Sequence, residues 1–144
     1  MPNNVIFRLA NVYGERQIPI GKNQLIPHAI KHILYGDDFT VMSPESSRDF
    51  IYVGDVAKAF LKAVENDVTG TFNLSTGRST QVKIILQQLK KVSGWDGEWD
   101  VQEIEDSRPH VHMENAKFRK AFGINRFTSL EKGLEKTYRW WVEQ

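Results

Sequence analysis

The sequence predicts an α/β protein, and three observations carry that prediction. Short runs rich in β-branched and aromatic residues alternate with longer runs whose apolar residues recur at helical spacing. Residues 50–53 and 71–74 read as strands, and the helix between them supplies the long crossover that a right-handed parallel pair requires. Beyond residue 80 the pattern is helical, with breaks at Gly94 and Gly123.

Residues 5–10 form a nearly continuous apolar run broken by Arg8, the signature of a buried strand in a parallel sheet. Residues 11–14 follow as its exit loop, and residues 15–24 mix Gly, Pro and polar types as a longer loop. Pro27 suits the first turn of a helix in which Ile26, Ala29, Ile30, Ile33 and Leu34 share a face, with Gly36 as its stop. Phe39 to Met42 is a short strand, and residues 43–47 are a polar turn. After the strand at residues 50–53, Asp55 is expected to cap a helix, where a carboxylate accepts from the first-turn amides. That helix places Val56, Phe60, Ala63 and Val64 on one stripe and ends near Asn66. Residues 75–79 are a loop, and Thr80 is expected to cap a helix carrying Val82, Ile85, Leu86, Leu89 and Val92. Residues 99–102 fit a strand, and residues 103–112 are irregular and polar. A short helix at residues 115–122 turns Phe118, Ala121 and Phe122 inward. Thr128 and Glu131 have capping-box spacing, ahead of a last helix with Leu130, Leu134, Tyr138, Trp141 and Val142 on one face.

Composition narrows the function. The 144 residues are enough for one domain with a real core. A net charge of +1 with no Lys/Arg cluster argues against a nucleic-acid partner. The lack of cysteine excludes disulfides, thiolate metal sites and a cysteine nucleophile, and it suits a cytoplasmic location. No window reaches membrane-helix length and residues 1–8 hold no long apolar core, so neither a membrane partner nor a signal peptide is expected.

Most familiar chemistries find no support. His28 and His32 are four apart on a helix, a metal-ligand spacing, but they sit opposite the apolar stripe with no third ligand. His110 and His112 belong to a polar loop. There is no Gly-x-Ser-x-Gly, no Gly-x-Gly-x-x-Gly and no Walker lysine pattern. Residues 75–80, between a strand and a helix with one glycine, can offer backbone amides to a phosphate, a weak signal alone. The arginines are the better clue. Arg48 stands at a strand mouth, and Arg108 lies in a loop stiffened by Pro109. Two guanidiniums converging on one diphosphate is sound physics for ligand capture.

A resemblance emerges from the motifs in order. These are Phe7-Arg8-Leu9-Ala10-Asn11-Val12-Tyr13-Gly14, then Leu25-Ile26-Pro27, then Arg48-Asp49-Phe50-Ile51-Tyr52-Val53-x-Asp55-Val56-Ala57-x-Ala59. Phe72-Asn73-Leu74-Ser75-x-Gly77, Arg108-Pro109 and Ser129-Leu130-Glu131-x-Gly133-Leu134 follow. Together they resemble the C-terminal, substrate-binding half of the extended short-chain dehydrogenases, the NAD-dependent nucleotide-sugar epimerases, dehydratases and reductases.

The resemblance implies a remnant of a Rossmann sheet and its covering helix at residues 1–20 and 55–77, with a small mixed α/β substrate-binding subdomain at 21–54 and 78–144. Carried over by position, Asn11 would contact substrate near the phosphates, and Gln24 and Leu25 would lie along the nucleotide. Thr40 to Met42 would flank the base, Arg48 and Arg108 would grip the diphosphate, and Val82 would pack against the nucleoside. For Leu25 and Val82, plain core packing is an equal alternative. The family's glycine-rich cofactor loop has no counterpart here. Its Tyr-x-x-x-Lys pair has none either: Gln17, Phe39, Val56 and Val142 stand fourth after the four tyrosines. The expectation is therefore no catalytic residue and no cofactor in this chain, NAD(P) being implied for the complete family enzyme. The implied ligand is a nucleoside-diphosphate sugar. A stand-alone, non-catalytic sugar-nucleotide-binding module or a degenerate remnant is the alternative. With most of the sheet missing, apolar faces should be uncovered, and either self-association or pairing with a separately encoded Rossmann half is expected.

Overall fold

Two apolar cores, rather than one, organise the chain. A computed structural model describes residues 4–21, 24–105 and 110–144. In chain order its elements are β1 (Val5–Leu9), β2 (Asn11–Tyr13), α1 (Leu25–Tyr35), β3 (Thr40–Met42), β4 (Ser47–Arg48), β5 (Phe50–Tyr52) and α2 (Val53–Glu65). Then come β6 (Gly70–Leu74), β7 (Thr80–Gln81), α3 (Val82–Ser93), β8 (Asp100–Gln102), α4 (Ala116–Phe122) and α5 (Leu130–Val142). The fold is α/β, as predicted, built on short parallel pairs: β1 with β6, β2 with β5 and β3 with β8, so the strands on either side of α2, expected to pair with each other, are each claimed by an N-terminal strand instead. The antiparallel pair β4 with β7 joins them.

The first core gathers Ile51, Val56, Ala59, Phe72, Leu74, Phe118 and Phe122 from β5, α2, β6 and α4. The second gathers Tyr13, Ile26, Ile30, Val41, Ile85, Leu89 and Leu134 from β2, α1, β3, α3 and α5. The chain passes between the cores at Ala10. Ala10 N donates to Leu74 O at 3.0 Å, whereas Asn11 N donates to Asp49 O at 2.9 Å. One extended course thus changes strand partner between adjacent residues. For this reason residues 11–13 are a strand and not the exit loop expected from their sequence. Their amides are claimed by β5, 38 residues away in the case of Asn11 and Asp49.

The helix starts also differ from expectation. The helix of Asp55 begins at Val53 with Tyr52 as N-cap, so Asp55 lies inside the first turn. Its carboxylate instead accepts from Thr128 N at 2.6 Å and Thr128 Oγ1 at 3.1 Å, tying α2 to the entry of α5. Thr80 is in β7, and Gln81 precedes α3 with no side-chain cap. For α5 the cap is Ser129, which accepts from Lys132 N, so the capping-box register is one residue later than the Thr128–Glu131 spacing indicated. On α2, Val56 and Ala59 are buried, but Phe60 and Val64 are 53% and 86% exposed. The apolar stripe of this helix is wider than the surface it covers.

α5 seats against β2 through a close approach. A Cβ on Gly133 would meet Tyr13 Oη and Cζ inside van der Waals contact, and Tyr13 is itself buried. In an open helix, Gly to Ala stabilises by about 1 kcal/mol. Here overpacking costs about 1–3 kcal/mol, so the sign reverses. Gly133→Ala is expected to lower the thermal unfolding midpoint, and an unchanged or raised midpoint would contradict the packing of α5 on Tyr13.

Candidate ligand-binding site

The second core leaves an open cavity of about 840 Å³ between α1, β3 and the β2–β5 pair. Asn11, Gln24, Leu25, Thr40, Met42, Arg48 and Val82 all line it. Arg108, the remaining residue singled out by sequence, lies outside the described residues, as does Pro109.

Each lining residue is set by its element. Thr40 and Met42 are alternate residues of β3, so they share a face while Val41 between them points into the core. Thr40 Oγ1 donates to Asp100 Oδ2 at 2.7 Å across the β3–β8 pair. Leu25 and Val82 are the first residues of α1 and α3. Val82 is buried and packs in the second core, with Leu25 partly buried against it. Gln24 precedes α1 and turns back, its Oε1 accepting from Ile20 N at 2.9 Å. Arg48 ends β4, half-buried, with Nη1 donating to Ser47 O at 2.9 Å. Asn11 starts β2, and its Nδ2 donates to Asp49 O at 3.1 Å, which leaves Oδ1 as the amide's outward end.

Further lining residues carried no local signal in the sequence. Gln17 hangs from Val12 O through Nε2 at 3.1 Å, and its Oε1 is buried with no partner among the described residues. Ser46, Phe50, Ile104 and Glu105 complete the wall near Arg48 and Met42. A guanidinium, amides and hydroxyls over an apolar floor suit a ligand with a charged centre and flat or apolar ends.

The loop at residues 75–79 cannot serve as the phosphate cradle that its sequence allowed. Thr76 N donates to Asp49 Oδ1 at 3.0 Å and Gly77 N to Asp49 Oδ2 at 2.9 Å. Its amides are taken by a carboxylate of the same chain. The β5–α2 junction also lacks a cradle, because the strand runs into the helix at Tyr52 without a loop. Neither of these two turns therefore offers a dinucleotide a cradle of free amides. No group of three or more His, Asp or Glu placed to hold a metal occurs among the described residues either. His28 and His32 instead face the carbonyls of Gly21 at 2.6 Å and Asp37 at 2.7 Å. No described helix is long and apolar enough to cross a membrane.

Behind the cavity, Tyr13 and Tyr52 pack ring to ring at 6.0 Å. Burial raises the Tyr13 phenol well above its ordinary value, reinforced by the charges of Asp55 and Glu15. Tyr52 is raised by burial and by its 2.6 Å hydrogen bond to Glu15 Oε1. Both shifts keep the phenols protonated, as hydrogen-bond donors and not bases.

Comparison with known proteins places the cavity in context. Residues 3–75 match the sequence model of the NAD dependent epimerase/dehydratase family. The chain belongs to that family. It is 30% identical over 138 residues to a putative UDP-glucose 4-epimerase of Methanocaldococcus jannaschii, covering 94% of this chain and 44% of the relative. It is 29% identical over 134 residues to CDP-abequose synthase of Salmonella muenchen, covering 90% of this chain and 45% of that enzyme. Among solved structures, UDP-glucose 4-epimerase of Thermotoga maritima with UDP-glucose superposes with a TM-score of 0.86 at 30% identity, over 96% of this chain and 46% of that one. UDP-N-acetylglucosamine 4-epimerase of Methanobrevibacter ruminantium, in complex with UDP-N-acetylmuramic acid, gives 0.86 at 26% identity and the same coverages. The chain thus spans a little under half the length of these relatives, and its fold is a partial short-chain dehydrogenase fold of the Rossmann type.

The two tyrosines make a pH signature. Their folded-state values are raised, so the folded chain holds protons that the unfolded chain releases near pH 10. The resulting stability is fully present below about pH 10 and is lost as pH rises beyond it. In an absorbance titration Tyr13 and Tyr52 should ionise well above the ordinary tyrosine range, and Tyr52→Phe should remove one such late group. The absence of any late-ionising tyrosine in the folded chain would contradict the environment described.

Proposed function

We propose that this chain is the substrate-binding portion of an NAD-dependent nucleotide-sugar epimerase or dehydratase and holds the diphosphate of a nucleoside-diphosphate sugar. The observation that carries the reading is Arg48 on the wall of the 840 Å³ cavity beside Asn11, with Thr40 and Met42 on the opposite strand. A guanidinium binds phosphate oxygens in a fixed fork, and a β-strand edge with a threonine and a methionine can flank a base. Leu25 and Val82 supply apolar surface between them. The complexes of the Thermotoga and Methanobrevibacter epimerases with UDP-linked ligands support the ligand class. Arg108 is the second phosphate ligand on this reading.

The redox step then belongs to residues that hold NAD(P), outside those described. In this division residues 1–20 and 55–77 form the edge of the cofactor-side sheet with its covering helix, and residues 21–54 and 78–144 form the substrate side. The two cores follow this division in part: Val56, Ala59, Phe72 and Leu74 share the first and α1, β3, α3 and α5 the second, whereas Tyr13 packs in the second and Ile51 and α4 pack in the first. A cytoplasmic location accompanies this role.

Calorimetry on the 144-residue chain tests ligand capture. UDP-glucose should bind, and Arg48→Ala should weaken it by roughly tenfold or more, the scale of one lost charge-assisted contact. Unchanged affinity in Arg48→Ala would sink the reading.

The apolar surface gives an independent test. Among the described residues β1 pairs only with β6, and Ile6, Leu9, Phe60, Leu61 and Val64 are all more than 40% exposed. Uncovered residues of this kind beside a bare strand edge support pairing with a cofactor-holding half, or self-association in its absence. In light scattering the isolated chain should grow in mean mass with concentration. A monodisperse monomer at high concentration would count against it.

A further inference from the structure

We propose that Asp49 is the positioning residue that sets Arg48 and Asn11 on the cavity wall, an inference that rests on the diphosphate-binding reading above. Arg48 and Phe50 line the cavity, and Asp49 between them points to the other face, where it is 1% exposed. There its Oδ1 accepts from Thr76 N at 3.0 Å and Thr76 Oγ1 at 2.6 Å, and its Oδ2 accepts from Gly77 N at 2.9 Å. Its main-chain carbonyl accepts twice from Asn11, from N at 2.9 Å and from Nδ2 at 3.1 Å. One residue therefore holds a loop with its side chain and the Asn11 amide with its backbone.

The other neighbour of Arg48 is anchored in the same way. Ser47 Oγ lies 2.7 Å from Ser79 Oγ and 3.0 Å from His110 Nδ1, and Ser47 O accepts from Val111 N at 3.0 Å. Arg48 is thus bracketed on both sides by buried polar residues. A one-residue slip of this strand would swing the guanidinium to the opposite face. Apolar packing alone would tolerate such a slip at a two-residue strand, whereas a carboxylate matched to three donors does not. Removing a carboxylate from water is costly unless every oxygen is paired, so the fold keeps Asp49 only with Thr76 and Gly77 in place. Phosphate recognition by arginine is geometric, and the bracket supplies that geometry.

The test is a double-mutant cycle in UDP affinity, read by calorimetry on the 144-residue chain. Asp49→Asn places an amide donor against a donor from the 76–77 loop. It should weaken UDP about tenfold, and in the Arg48→Ala background most of that loss should vanish, leaving only the smaller part that acts through Asn11. Its loss of thermal stability should be the same in both backgrounds, which separates positioning from general destabilisation. Thr76→Val removes one of the three donors and serves if Asp49→Asn does not fold. It should weaken UDP severalfold, with most of the effect again depending on Arg48. UDP affinity unchanged in both variants, or losses that add in full to Arg48→Ala, would overturn the proposal. Wild-type chain that binds no UDP would overturn the diphosphate reading itself, and this inference with it.

Discussion

The pairing of the Asp49 carboxylate with Thr76 and Gly77 is the contact on which the architecture around the cavity depends. It joins the strand that follows Arg48 to the loop that follows β6, 27 and 28 residues further along the chain. That loop is in turn fastened to the stretch before α4, because Asn115 Nδ2 donates to Ser75 O at 2.8 Å and Ser75 Oγ to Met113 O at 2.9 Å. The same stretch returns to Ser47 through Val111 and His110. The contacts form a closed circuit around Arg48, with the loop, the α4 approach and β4 each holding the next. A charge without partners in this position would cost far more than a neutral hydrogen bond returns, so the circuit forms as a unit or not at all.

A second buried carboxylate does the corresponding work between the cores. Asp55 leaves its own helix uncapped and accepts from Thr128 instead, 73 residues away. The contact places α2 of the first core and the start of α5 over the second relative to each other. Tyr13 sits where these constraints meet, against Gly133 on α5 and within reach of the Asp55 charge.

Much of this was legible in the residues, and the part that was not has a common cause. The helices could be read because their apolar faces repeat locally, and the stops at Gly36, Gly94 and Gly123 fall where expected. The strands at residues 50–52 and 70–74 showed in β-branched and aromatic runs. Misreadings occurred wherever a distant partner overrode a local signal. Asn11 to Tyr13 looks like a loop until β5 claims its backbone, and Asp55 looks like a cap until Thr128 claims its side chain. Arg48 and Asn11, singled out by the order of their motifs along the chain, line the cavity. Gln17 and Ile104 were not singled out, since a lining role for a glutamine or isoleucine in a loop leaves no periodic trace. Asp49 stands in the motif with no local sign that its carboxylate pairs with the 76–77 loop. Its signal was an acid between a cationic residue and an aromatic strand, where a solvent-facing side chain would be unusual.

The occupancy of the 76–77 amides bears on the kind of phosphate site proposed for the cavity. A glycine-rich turn binds phosphate with backbone amides at a helix start, and specificity there comes from backbone shape. This chain spends the equivalent amides on its own carboxylate and presents a guanidinium instead. The two devices select differently. An amide cradle grips a phosphate along a helix axis, while an arginine held at a strand mouth presents a planar fork of donors from the side. The described residues around the cavity therefore offer a guanidinium and side-chain amides in place of a backbone-amide cradle, in a chain that aligns with a little under half of its relatives' length.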